Sequence, residues 1–434
     1  MNPNRRGTLR ALAFGAAGGL NPLVGTGANV PLNVAPIRTQ PVPASYFGLH
    51  VHDPTAVWPD FQFGRLRLWD TRTTWFNLQP ERGRWDFTRL DAIVNVALKR
   101  GVEVVLPLGM TPRWAAARPE EPSPYNLPGA ASEPSDIQLW QRYVQTVGER
   151  YKGRIRCYEL WNEVNAGAGF FTGTPTALLE LQRVAFETLK VIDLGITFVA
   201  PSTEGESEHK FVWFERYLSL MQGRYADAVS YHLYSPRKSP EAMLPMAERA
   251  RKIMTRTGCG HMPLWNTESG YRVDWGQSKV PGGTMATWPN LAPRTAAAWV
   301  VRAYLLGWAA GLDAFFWYAY DNQLMGMVSS ALKPTEVSDA MKLVSRWLAG
   351  SVVERVEKDT DSVMWAQTSL SGVRRWWVWT SDDVIRAWSV PAGWGARFSA
   401  RINGDPRALQ SGGVVLLGGM PILLARDSRE LSLR

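Results

Sequence analysis

The run Ile155-Arg156-Cys157-Tyr158-Glu159-Leu160 leads directly into Trp161-Asn162-Glu163. One hundred and five residues later, Met262-Pro263-Leu264-Trp265 leads toward Thr267-Glu268-Ser269-Gly270. Each run is short, rich in apolar and aromatic residues and closed by polar ones, as expected of a strand buried on both faces. The same grammar marks Phe47–His52, Arg65–Trp69, Val102–Leu108, Ile155–Trp161, Ile196–Ala200, Ala228–Leu233, Pro263–Thr267 and Ala314–Tyr318. Helical patterns lie between most of them, for example Leu90–Lys99, Ile137–Arg150, Ala177–Val191, Met243–Thr255 and Arg294–Leu306, and Val337–Leu348 follows the last strand.

Eight buried strands alternating with helices predict an α/β fold, a closed parallel (β/α)8 or TIM barrel, over residues 46–350. The spacing of the two glutamates equals three βα repeats, which sets Glu163 at the end of strand four and Glu268 at the end of strand seven. Strand ends of this kind share one pocket at the carboxyl face of a barrel. Two segments interrupt the rhythm: Arg113–Pro134 and Tyr271–Pro293 read as long loops after strands three and seven, on the face where loops shape a cleft.

Outside the barrel the grammar changes. Residues 1–30 open with Arg5-Arg6 and Arg10, then a short, mildly apolar stretch, which is the pattern of an export signal. The arginine pair hints at the twin-arginine route. Export to the periplasm or outside the cell is expected, and the run is too short to span a bilayer. Residues 31–45 carry Pro31, Pro36, Pro41 and Pro43 and read as a linker without a core of its own. Residues 351–434 show short alternating strands, Val363–Gln367, Arg375–Trp379 and Val414–Leu417, separated by Gly or Asp turns. They predict a small antiparallel β-sandwich module that packs on the barrel.

Composition narrows the function. Hydrophobic residues are 45% and charged residues 20% of 434, ordinary for a globular chain with a large core. The net charge of +9 falls to +6 without Arg5, Arg6 and Arg10, a modest balance compatible with an anionic polymer. No basic helix with interleaved aromatics is present, so nucleic acid is not an expected partner. Only Cys157 and Cys259 occur, in segments that do not favour a bridge. The five histidines show no metal-ligand spacing. His50-Val51-His52 places two imidazoles on one strand face, and for His50 a substrate contact is expected rather than a metal. No cofactor is expected. Tryptophan, at 21 copies, is abundant near strand ends, including Trp69, Trp114, Trp161, Trp265 and Trp317. About half of these are expected to stack on sugar rings, whose faces present apolar C–H groups.

The residues at the strand ends resemble clan A retaining glycoside hydrolases, and within the clan family 39 and its exopolysaccharide-cleaving relatives. The likeness rests on Trp161-Asn162-Glu163, on Thr267-Glu268, on Arg67 in Arg65-Leu66-Arg67-Leu68-Trp69, on the turn Trp75 to Phe87, on His232-Leu233-Tyr234 and on Trp317. The clan's usual Asn-Glu-Pro is Asn162-Glu163-Val164 here. The resemblance covers residues 46–350 and implies hydrolysis of a β-glycoside with two carboxylates. Glu163 would be the acid, then base, held protonated by desolvation. Glu268 would be the nucleophile, kept ionised by Arg67 and by a hydrogen bond from Tyr234. Asn162 would bond the sugar 2-hydroxyl, Trp317 would lie under the reacting sugar, His232 would contact substrate or orient the acid, and Trp114 would line the cleft. Glu159 reads as a structural partner of Arg156 or Arg67. The expected protein is a monomeric, endo-acting enzyme on a bacterial exopolysaccharide, and the basic balance is compatible with an anionic one. The alternatives are an exo-β-xylosidase or β-glucosidase of the clan, and a non-catalytic polysaccharide-binding protein.

Overall fold

The computed structural model describes residues 30–31, 38–166, 169–276, 284–360, 362–401, 404–410 and 413–431. Eight parallel strands form the barrel: β1 (Phe47–His50), β2 (Arg65–Arg67), β3 (Glu103–Leu108), β4 (Cys157–Leu160), β5 (Thr197–Val199), β6 (Val229–His232), β7 (Leu264–Ser269) and β8 (Leu312–Trp317). Neighbours pair in sequence order and β8 returns to pair with β1. The seam between β5 and β6 is thin, a single parallel bridge from Val199 to Ala228 with Ala200 N–H donating to Ala228 O at 2.9 Å. The barrel is therefore closed.

Among the described residues seven helices of twelve residues or more surround it: α1 (Thr88–Lys99), α2 (Ile137–Arg150), α3 (Pro175–Ile192), α4 (Glu208–Met221), α5 (Met243–Arg256), α6 (Pro293–Ala309) and α7 (Glu336–Leu348). Among the described residues no helix links β1 to β2. Local chemistry starts several of the others. The Asp136 carboxylate accepts from Gln138 N–H, and the Thr174 hydroxyl accepts from Ala177 N–H beside Pro175. Thr335 and Ser338 make a reciprocal capping box.

The barrel interior is filled by Val105, Cys157, Val199, Ala228, Trp265, Ala314 and Phe316. Gly48 makes room for this layer, since a Cβ there would lie 2.3 Å from the Phe316 ring. Cys157 and Cys259 are both buried free thiols. Helix α6 is buried on all sides from Ala296 onward, as suits a helix apolar all round. It lies between the barrel and the C-terminal module.

That module begins with three long antiparallel strands, β9 (Val352–Lys358), β10 (Val363–Leu370) and β11 (Val373–Thr380). Short strands extend their sheet, and the pair Arg386–Ser389 with Val414–Leu417 forms a second, smaller layer whose Trp388, Val415 and Leu417 share a core with Trp365 and Trp376. A buried arginine ties the module to the barrel. Arg302 of α6 donates to Glu241 at 2.9 Å, to Asp383 at 2.7 Å and to Ser381 O at 3.0 Å, while Trp379 Nε1–H donates to Glu241 at 2.8 Å.

The expectation of a coreless linker at 31–45 needs correction. Val30–Pro31 pairs with β9, and Val42 is fully buried, exchanging backbone hydrogen bonds with Gly350 and Ser351. Arg38 reaches Asp313 at 3.0 Å. The expected export signal lies outside the described residues apart from Val30. No described helix is long and apolar enough to cross a membrane.

Candidate active site

Glu268 reaches the pocket because β7 is irregular. Phe315 pairs with Asn266 but Trp317 pairs with Ser269, so three steps on β7 oppose two on β8. This bulge lets Thr267 and Glu268, adjacent in sequence, both face inward, a common use of bulges beside active sites. The Glu268 carboxylate accepts from Arg67 Nη1 at 2.9 Å and from Tyr234 Oη at 3.0 Å. Arg67 is wholly buried and spends its other donors on Glu159, Nε to Oε2 at 2.5 Å, and on Asn162 Oδ1 at 2.8 Å. One guanidinium thus faces two carboxylates and fixes the amide of Asn162, whose N–H groups are left for a ligand.

Glu163 is presented by a turn with two left-handed residues, Trp161 at φ 56° and Glu163 at φ 42°. Such conformations cost about 1–3 kcal/mol each and persist only where the surroundings impose them. Here Trp161 N–H donates to Leu108 O at 2.7 Å, its indole donates to Phe170 O at 2.6 Å, and Glu163 N–H donates to Ser202 Oγ at 3.0 Å. Gly109 admits the Trp161 ring, which a Cβ would meet at 2.8 Å.

A hydrogen-bond chain assigns the state of His232. Thr267 Oγ1–H donates to Glu159 Oε1 at 2.7 Å, so the Thr267 oxygen must accept from His232 Nε2 at 3.0 Å. His232 then carries its hydrogen on Nε2 and presents a bare Nδ1 to Glu163 Oε1, 3.0 Å away. That nitrogen can only accept, so the chain favours a protonated Glu163. Burial lowers the His232 pKa to about 4, keeping the ring neutral.

Burial, then the Glu204 carboxylate, pushes Glu163 up to about 8, against the opposing pull of Arg67 and Lys210. Burial also pushes Glu268 up to about 7, with the Glu163 carboxylate adding to the rise and Arg67 opposing it. The Arg67 charge is shared with Glu159, which is why Glu268 is not held lower. Two donors, Arg67 and Tyr234, favour the ionised Glu268, whereas Glu163 faces a bare ring nitrogen, so Glu163 is the better proton holder.

Glu163, His232 and Glu268 each place one ligand-type atom within 4.8 Å of the others. The same donors satisfy the spacing of a metal site, but Arg67 already occupies one oxygen of Glu268 with a full positive charge. The residues fit an acid–nucleophile pair better than a cation.

Three of the expected contacts are corrected. Trp317 has no exposed surface and packs toward Tyr271, because Ala314 and Phe316 take the inward positions of β8. The next inward residue is Tyr318, which clusters with Tyr234 and donates to Asp70 at 2.7 Å. His50 is also fully buried, bonded to Thr267 O at 2.9 Å and set edge-on to Tyr318 at 5.1 Å. Trp114 donates to Gln79 O and meets Trp75 edge-on, away from the carboxylates. Tryptophan is largely spent on the core: Trp75, Trp140, Trp161, Trp317, Trp376, Trp377 and Trp379 are all fully buried. Thr267, Ser202, Asp70 and Tyr318 were not anticipated. Only the inward parity of β8 could have pointed to Tyr318.

A family model described as beta-galactosidase, of glycoside hydrolase family 42, matches residues 68–160, less than a quarter of the chain. Solved structures match over nearly its whole length. A family 39 beta-xylosidase from Caulobacter crescentus is 16% identical, with 89% of this chain and 98% of that one covered and a TM-score of 0.61. A glucosidase from Croceicoccus marinus is 15% identical, covering 90% and 83%, with a TM-score of 0.57. A family 30 endoxylanase from Clostridium papyrosolvens is 12% identical, covering 91% and 98%, with a TM-score of 0.57. The chain has the fold of clan A glycoside hydrolases, and family 39 enzymes are among those it is most like.

Proposed function

We propose that this chain is an exported retaining β-glycoside hydrolase that cleaves within a bacterial exopolysaccharide. The observation that carries the reading is the approach of Glu163 and Glu268 oxygens to within 4.8 Å. Retaining pairs stand about 5–5.5 Å apart and inverting pairs about 6.5–9.5 Å, with a water between them.

In the first step a Glu268 oxygen attacks the anomeric carbon while Glu163 gives its proton to the glycosidic oxygen. The bond to the leaving sugar breaks and a glycosyl ester forms on Glu268. In the second step Glu163, now a carboxylate, takes a proton from water. The water oxygen attacks the anomeric carbon and the ester bond breaks, returning the Glu268 carboxylate. Arg67 and Tyr234 hold the nucleophile, the Asn162 amide faces the sugar 2-hydroxyl, and His232 holds the acid. Tyr318 takes the platform role expected of Trp317.

Export rests on the basic and apolar pattern of residues 1–30. Internal cleavage rests on the two long loops flanking the site. An exo-acting β-xylosidase or β-glucosidase is the second reading, favoured by Tyr125 of the 113–134 loop, which bonds across to Asp70 and walls one side of the site. Product analysis by mass spectrometry on neutral and acidic β-linked polysaccharides, with Glu268→Gln in parallel, tests both. Oligosaccharides from wild type alone support internal cleavage, and monosaccharide alone supports the exo reading. No release by wild type contradicts both.

A further inference from the structure

A cavity of about 320 Å³ opens beside the reacting centre, walled by Trp69, Asp70, Arg72, Asn77, Met110 and Tyr125. Its size is at the small end of the range for ligand sites, about 300–1,000 Å³, which suits a single sugar residue rather than a length of chain. Asp70 joins it to the site described above. One carboxylate oxygen accepts from Tyr125 Oη at 2.5 Å and the other from Tyr318 Oη at 2.7 Å. The acid is thus engaged within the wall.

Arg72 is not engaged. It lines the cavity from an exposed position and has no hydrogen-bond or ion-pair partner among the described residues. The loop that carries it is nonetheless fixed. Asp70 at φ 63° and Arg72 at φ 59° are both left-handed, and the buried Thr71 between them donates to Leu68 O at 3.0 Å while Arg89 Nε donates to Thr71 O at 2.5 Å. Asn77 accepts from Thr74 Oγ1 at 2.8 Å, which leaves its amide N–H groups available beside the guanidinium. Tyr125, about half exposed, adds a ring face. A displayed guanidinium, an amide donor and an aromatic face form a receptor for a ring bearing a carboxylate, since guanidinium and carboxylate pair through two parallel hydrogen bonds.

We propose that this cavity is a subsite for an acidic sugar, its carboxylate held by Arg72, so that the substrate is a β-glycan containing uronic acid. The substrate assignment rests on the glycosidase reading, whereas the binding preference does not. The test therefore keeps binding apart from turnover. Glu268→Gln protein is titrated calorimetrically with a tetrasaccharide of alternating β-linked glucuronic acid and glucose, and with its carboxyl-reduced, all-glucose form. The acidic form should bind at least about tenfold more tightly, and adding Arg72→Gln should bring the two affinities together. Raising the salt concentration should narrow the gap in the Arg72 protein alone. Equal affinities in the Arg72 protein, a preference that survives Arg72→Gln, or binding of neither form would each overturn the proposal. Wild-type turnover of activated aryl β-glycosides reports on the hydrolase reading alone. A preference for the acidic form without any such turnover sinks that reading and leaves the subsite standing.

Discussion

Arg67 and Glu159 form an ion pair of 2.5 Å beneath the Glu163 and Glu268 carboxylates, with neither side chain exposed. Glu159 balances the charge that Arg67 would otherwise carry alone into the barrel, and it accepts the Thr267 hydroxyl as well. Removing one partner of a buried pair strands the other, at a cost of about 3–5 kcal/mol. Glu159→Ala should lose stability on that scale in urea unfolding and lose activity with it. Glu159→Gln keeps an acceptor and should lose less.

The pH dependence follows from the two raised carboxyls. Turnover needs Glu268 ionised and Glu163 protonated, so kcat/KM should rise as the pair loses its first proton near 7 and fall as it loses its second near 8. Glu163→Gln should abolish the alkaline limb. For stability the sign is the reverse of an ordinary salt-bridged acid. Both groups hold protons to higher pH when folded than when unfolded, where glutamate titrates near about 4.3. The folded state therefore binds more protons between those limits, and stability falls as pH rises through about 8. Glu163→Gln cannot ionise and should be more stable than wild type at pH 9, by on the order of 2–4 kcal/mol, and similar at pH 5. That figure is discounted because Glu163 keeps 16% of its side-chain surface in water.

Thr267 reaches Glu163 through His232, and its hydroxyl hydrogen goes to Glu159. Thr267→Val removes the acceptor that keeps the imidazole hydrogen on Nε2. The ring is then free to place its hydrogen on Nδ1 and donate to the Glu163 carboxylate, which stabilises the ionised form. The alkaline limb of kcat/KM should move down by about 0.5–1 pH unit. A purely structural role for Thr267 would lower the rate without moving the limb.

Trp317 and Tyr318 are neighbours with opposite assignments. Trp317→Phe should cost about 1–3 kcal/mol of stability through lost packing and leave KM unchanged. Tyr318→Ala should lower kcat/KM by about tenfold or more, since it removes both the ring under the sugar and the hydroxyl on Asp70. Steady-state kinetics beside thermal unfolding separates the two.

Much of this site was legible because barrel strands are short, buried and evenly spaced. Glu163, Glu268, Arg67, His232 and Tyr234 all sit at strand ends, where order along the chain translates into position around one pocket. Helix α4 is less legible, because the exposed Val212 and Leu220 place apolar residues on its outer face. Trp317 misleads for a different reason. Strand period decides its direction, and that period can be counted only once Ala314 and Phe316 are known to face inward. His50 and Trp114 are aromatic residues near strand ends whose burial depends on packing partners distant in sequence. Asp70 carries no motif and Thr267 enters the sequence reading only as the neighbour of Glu268, and their roles emerge only from what the strained loop and the bulge bring together.

In the proposed mechanism Glu268 attacks the sugar and Glu163 handles the proton. Glu268→Ala and Glu163→Ala, each given an activated aryl β-glycoside and azide, test it most directly. Azide fits the space left by the missing carboxylate and attacks from that side of the ring. An α-glycosyl azide is expected from the Glu268 variant and a β-glycosyl azide from the Glu163 variant. A β-glycosyl azide from the Glu268 variant would contradict it.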